Sequence, residues 1–316
     1  MESVRISRLR ESIFFGTFCN QLIALIFGES HRYMIQHKWI FIILWLAGGT
    51  TTLFAQSPPT PILDSRTGIQ FVPVPAGSFQ MGDIRGGGLF WEKPVHEVEL
   101  DRFEISAYEI TNHQYAAFLN EYGSDSVKDS KYSGQKLVEP HEWGLRKTED
   151  GWIPQPGYEQ YPVVMVTWYG AYEFCRFYGY QLPTEAQWEY AARSGGKRQQ
   201  WAGTSDSLQL DQYAWFDKNS DGKTHPVGQK KPNALGLYDM SGNVWEWCLD
   251  SWDVHAFRTR ADNAPVKNPV AAGKNANVHI LRGGAYDNNV RWVRTAYRYG
   301  LNANLKYANF GFRVVR

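Results

Sequence analysis

The sequence predicts an α+β domain with sparse regular secondary structure, on three observations. Two alternating apolar runs early in the globular part read as strands, and three segments carry the spacing and caps of short helices. The second half is dominated by Gly, Asn, Asp and aromatic residues, so much irregular backbone must be held by aromatic packing or bound ions. With 43% hydrophobic and 21% charged residues, the 316-residue chain has a globular composition. Its 33 basic and 32 acidic residues are interspersed and leave a net charge of +1. A phosphate backbone would demand a basic stripe, so nucleic acid is excluded as the expected partner.

In chain order, Lys38 precedes an apolar core at residues 39–47 (WIFIILWLA), and small residues follow as far as Ala55. These are the parts of a secretory signal peptide, residues 34–55, with residues 1–33 an upstream extension before Met34. The core is short for a membrane span, which takes about 20 apolar residues, but with residues 48–55 added it would serve as an uncleaved anchor. The expected location is therefore periplasmic, cell-surface or secreted. Residues 56–68 open with a Pro-rich linker, and residues 69–316 form one domain, since no repeat and no composition break divides them.

Residues 71–81 (FVPVPAGSFQM) and 95–105 (VHEVELDRFEI) alternate as strands, and Pro73 and Pro75 place the first at a sheet edge or rim. Thr111 with Gln114 has capping-box spacing ahead of Tyr115, Phe118 and Leu119, and Gly123 is the stop. A second helix spans 168–178, where Ala171, Phe174, Cys175 and Tyr178 share one face. Thr184 with Gln187 opens a third, with Trp188, Ala191 and Ala192 inward. Cys175 and Cys248 read as free core thiols, although an exported chain permits a disulfide. Beyond Arg193 only 279–282 and 312–315 look strand-like.

Seven blocks occur in a fixed order: FQMG (79–82), YEITNHQY (108–115), PVVMVTW (162–168), LPTEAQWEYAAR (182–193), GLYDMSGNVWEW (236–247), RGG (282–284) and GFR (311–313). Together they resemble the formylglycine-generating-enzyme, or sulfatase-modifying-factor, family from about Ile69 to the C-terminus. The resemblance implies a compact α+β domain of C-type-lectin-like fold that commonly holds calcium.

In GLYDMSGNVWEW two carboxylates flank a Ser-Gly-Asn turn, an arrangement rich in the oxygen ligands calcium takes. By resemblance the ligands are Asp239 and Glu246 through side chains and Gly242 and Val244 through carbonyls; the alternative is a metal-free turn. A second oxygen-rich loop, 217–222 (DKNSDG), matches half of a calcium-loop pattern, but Gly228 stands where that pattern needs a bidentate Glu. Asp217, Asn219 and Asp221 are secondary candidates near the family's other calcium site, where Trp215 replaces the usual Asn; a solvated turn is the competing reading.

The family's oxidase works through two cysteines just after Arg-Gly-Gly, which bind copper(I) and exchange with the cysteine of a sulfatase Cys-x-Pro-x-Arg peptide. Here residues 283–298 (GGAYDNNVRWVRTAYR) contain no cysteine, and Ala285 stands where a Ser is usual. Copper is not expected. No H-x-x-x-H-x-E run supports the iron-dependent branch either. Three functions remain open. One is a binding or structural module at the cell envelope, with a protein, peptide or glycan ligand at Asn288, Asn289, Arg291, Trp292, Arg294 and Arg298. In that set Arg294 and Arg298 are equally readable as partners of core carboxylates. Another is a cysteine-free tailoring enzyme, similar to members that mature siderophores, with Asp287 or Glu246 as acid or base. The last is formylglycine formation by a different route.

Overall fold

The computed structural model describes residues 58–273, 275 and 277–316, so the signal-peptide or anchor reading and the upstream extension lie outside the described residues. Each of the two alternating runs is not one strand but two. The first divides into β2 (Gln70–Val74) and β3 (Gly77–Met81), after a short β1 (Ile62–Leu63); the second divides into β4 (His96–Leu100) and β5 (Phe103–Ser106). β2 pairs antiparallel with β5, Phe71 opposite Ser106, while β3 pairs with β4, Gly77 opposite Leu100. The ribbon thus folds back on itself and splits between two sheets, β1-β2-β5 and β3-β4-β9, where β9 (Val266–Lys267) comes from much later in the chain. β2 is the middle strand of its sheet rather than an edge. β1 covers only Phe71 and Gln70 and ends before Pro73, whose missing N–H could not continue the ladder.

The helices follow their caps. In α1 (Asn112–Tyr122) the Thr111 hydroxyl accepts from the Gln114 N–H while Gln114 Oε1 accepts from Thr111 N–H, and Gly123 stops the helix in the left-handed region. α2 (Trp168–Tyr178) starts on Thr167 and ends at left-handed Gly179, and α3 (Glu185–Ala192) repeats the capping box with Thr184 and Gln187. Between α1 and α2 lies a hairpin, β6 (Leu145–Thr148) and β7 (Gly151–Pro154). Phe118 of α1 and Phe174 of α2 meet edge-to-face at 5.3 Å, and Phe174 meets Phe312 in the same way, so the first core closes on aromatic rings.

The loop-rich second half is organised around β8 (Trp245–Ser251), the second half of GLYDMSGNVWEW. β8 lies inside a four-stranded sheet ordered β11-β10-β8-β12, with β10 (Val278–Arg282), β11 (Arg298–Asn302) and β12 (Phe310–Gly311). Both faces of β8 are buried, which explains why Trp245 and Trp247 sandwich an acid without alternating to solvent. A short α4 (Ala256–Ala261) and β9 (Val266–Lys267) lead from β8 to β10. Among the described residues no helix is long and apolar enough to cross a membrane. Cys175 and Cys248 are buried free thiols.

Candidate functional site

Two buried charge clusters are built on the four-stranded sheet, one through Glu246 of β8 and one through Arg282 of β10. The first is built on the turn before β8. Asp239, Gly242 and Asn243 all sit at positive φ, which points successive polar groups of the turn inward. Asn243 Nδ2 donates to Glu109 Oε2 at 2.6 Å, and Val244 N–H donates to Glu109 Oε1 at 3.2 Å. Asp239 Oδ2 accepts from Gly228 N–H at 2.7 Å, while its Oδ1 is buried without a partner. Glu246 is fully committed: its carboxylate takes Arg313 Nε at 2.6 Å and Nη2 at 2.8 Å, and Trp188 Nε1 donates to it at 2.7 Å. Arg313 spends its remaining donors on the carbonyls of Ser106, Ala107 and Tyr238.

Three carboxylates and one guanidinium are therefore sealed together, Glu109 being 1%, Asp239 2%, and Glu246 and Arg313 0% exposed. Burial, reinforced by Asp239 and Glu246, pushes the Glu109 carboxyl well up from its ordinary value. Burial also lifts Asp239 to about 6, against the Gly228 hydrogen bond and Arg313. Glu246 thus meets an arginine where the sequence placed it beside a metal. Its two oxygens already share a full positive charge, so Asp239 and Glu109 are the buried carboxyls of this cluster without an ion-pair partner among the described residues. Glu109 was missed as a site residue. Its signal was an acid directly ahead of a helix cap in an apolar stretch, read only as part of the YEIT block.

The loop of Asp217, Asn219 and Asp221 does not converge on an ion site. Asn219 closes its own turn, accepting from Phe216 N–H and donating to the Ala214 carbonyl, while Asp217 and Asp221 are exposed. Among the described residues no group of three or more His, Cys, Asp and Glu side chains gathers as a metal cluster.

The second cluster joins α3 to the Arg-Gly-Gly block. Arg282 bonds Glu185 at 3.1 Å and Glu189 at 2.6 Å, and Arg298 grips Glu185 through Nε at 2.6 Å and Nη2 at 2.8 Å. Arg193 pairs with Glu189 and Arg260 with Asp250. Asp250 in turn accepts from Glu185 N–H at the start of α3. Arg294 holds Glu92 in a fork at 2.8 and 2.9 Å. Two of the six candidate ligand residues, Arg294 and Arg298, are therefore internal clamps. Asn288 also faces inward in function, its Oδ1 accepting from Ala285 N–H.

The remaining three stay at the surface. Asn289 Oδ1 accepts from Arg291 N–H, Arg291 is exposed, and Trp292 is stacked on Tyr297 at 5.3 Å with a 15° interplanar angle. Tyr299 and Trp245 complete this aromatic group, and neither was singled out for it by the sequence. Of the two candidate acid–base groups, Glu246 is sealed by Arg313, and exposed Asp287 accepts from Asn309 Nδ2 at 3.0 Å. A separate open cavity of about 320 Å³ lies at the start of α1, lined by Tyr108, Glu109, Thr111, Gln114 and Gly228 among others.

Comparison with known proteins places this geometry. The family model described as the sulfatase-modifying factor enzyme 1-like domain matches residues 60–316. The formylglycine-generating enzyme of Streptomyces coelicolor is 32% identical over 298 residues, covering 82% of this chain and 93% of the relative. The serine/threonine-protein kinase Pkn1 of Chlamydia trachomatis serovar L2 is 32% identical over 260 residues, covering 82% of this chain; the match spans only 39% of the kinase. Among solved structures, PvdO from Pseudomonas aeruginosa has a TM-score of 0.63 at 26% identity, over 83% of this chain and 99% of that one. Treponema denticola variable protein 1, with a TM-score of 0.60 at 23% identity, over 81% of this chain and 99% of that one, shares the fold.

Proposed function

The chain belongs to the sulfatase-modifying factor enzyme family, and from that premise we propose that it is an exported, calcium-braced binding module of the cell envelope rather than a copper-dependent formylglycine-generating oxidase. The observation that carries this reading is the chemistry of residues 283–298. Copper(I) selects thiolate sulfur, and this segment offers none. The thiols of Cys175 and Cys248 are no substitute, because both are buried and burial pushes them well above the ordinary range, away from thiolate. Export rests on the apolar core at 39–47.

Calcium belongs to the same proposal. Asp239, with its unpartnered Oδ1, the carbonyls of Gly242 and Val244, and Glu246, whose carboxylate also pairs with Arg313, would hold it. A dication there would offset the excess of buried carboxylates and brace the turn. The ligand-binding part is the exposed group of Asn289, Arg291 and Trp292.

A second reading, a cysteine-free tailoring enzyme, would use the exposed Asp287 as its acid or base. Titration with copper(I) against a competing chelator tests the main reading. The module reading expects no stoichiometric copper on the native chain; one tightly held copper per chain would overturn it.

A further inference from the structure

The six surface candidates reduce to a smaller site with a definite chemistry. Trp292 is 38% exposed, and one face of its indole is covered by Tyr297 in a near-parallel stack. The exposed surface of the ring is what the stack leaves uncovered. Tyr299, 36% exposed, lies with its ring centroid 6.3 Å from Trp292 and tilted by 47°, so the two rings form an open corner. Trp245, almost fully buried, touches Trp292, Tyr297 and Tyr299 at 6.3, 5.8 and 6.0 Å, so the corner is backed by core and already rigid. A rigid aromatic corner loses little side-chain entropy when it binds.

The one arginine of this segment next in sequence to Trp292 is Arg291, which is exposed and is not taken up by an ion pair of the described residues. Its nearest acid in sequence, Asp287, is held by Asn309 instead. Arg282, Arg294 and Arg298 are each bonded to glutamates. We propose that the Trp292–Tyr299 corner with Arg291 binds a saccharide whose pyranose ring carries an anionic group, a uronate carboxylate or a sulfate.

The proposal rests on the binding-module reading. An aromatic face is electron-rich and attracts the polarised C–H edge of a pyranose. A guanidinium adds paired, charge-assisted hydrogen bonds to a carboxylate or sulfate. A cationic ligand would suit the rings but meet Arg291. Asn289, whose Oδ1 is spent on Arg291 N–H, keeps its amide donors for a sugar hydroxyl.

The test uses the full chain with three oligosaccharides of similar length: tetragalacturonate, a κ-carrageenan oligosaccharide and neutral cellotetraose. Binding is read by calorimetry and by tryptophan fluorescence. At least one anionic probe is expected to bind about tenfold tighter than cellotetraose, which corresponds to one charge-assisted contact. Whichever anionic probe binds identifies carboxylate or sulfate as the preferred group. Trp292→Ala should abolish saccharide binding and Trp292→Phe should retain it. Arg291→Gln should weaken the anionic probe about tenfold and cellotetraose by much less. Absence of saturable binding to all three, or binding indifferent to Trp292→Ala, overturns the proposal. So does equal weakening of all probes by Arg291→Gln. Copper loading, by contrast, would overturn the module reading whatever the saccharides do.

Discussion

Replacing Arg313 by methionine separates an ion-pair role for Glu246 from a metal-ligand role. The substitution removes two charge-assisted bonds to Glu246 and three to the carbonyls of Ser106, Ala107 and Tyr238. Glu246 would keep only the Trp188 N–H at 2.7 Å, with no exposure to solvent. Breaking a buried pair from one side costs about 3–5 kcal/mol, because the surviving charge is left uncompensated. For a domain of this size each kcal/mol moves the melting temperature by roughly 2–4 °C, so the melt should drop by about 6–20 °C. The double replacement Arg313→Met with Glu246→Leu removes both charges and should recover most of that loss. Calorimetric melting of wild type, single and double variants, each with excess calcium and with chelator, reads the effect. A loss below about 1 kcal/mol for the single variant, or a double variant no better than the single, would refute the reasoning.

Asp239 sets a pH dependence. Its folded pKa is raised from 3.8 to about 6, so the unfolded chain gives up this proton first and stability falls as pH rises from about 4 to about 6. The loss is ~3 kcal/mol, and the raised Glu109 adds in the same direction. Denaturant titrations in chelator should show that decline, and added calcium should reduce it; a stability that rises over this range contradicts the assignment. Gly242→Ala should unfold the turn, since its φ is +84° and a Cβ would collide with the Trp215 carbonyl; an unchanged melting temperature would argue against that close approach. Both thiols should resist alkylation in the native protein and react only in denaturant, measured by intact mass.

The local grammar of the fold was legible. Thr111–Gln114 and Thr184–Gln187 are short-range reciprocal bonds, so spacing alone locates α1 and α3. The breaks inside the two early runs were not, because they depend on which partner strand each half finds, β5 or β4. Nor did sequence spacing reveal that Glu185 and Glu189 face inward. Their burial is matched by Arg282 and Arg298, about a hundred residues later, which arrive opposite them. Glu246 illustrates the same limit. Its place in a calcium-like turn is visible in the sequence, whereas its pairing with Arg313 spans 67 residues. The surface corner was half visible: Trp292 stood out, and Tyr299 joins it through the pairing of β11 with β10.

The central claim, a module without the copper oxidase chemistry, is tested most directly by incubating the chain with copper(I), oxygen and a sulfatase peptide carrying Cys-x-Pro-x-Arg. The account predicts that the peptide keeps its thiol and its mass. Conversion of the peptide cysteine to formylglycine at a rate that scales with the protein would contradict it.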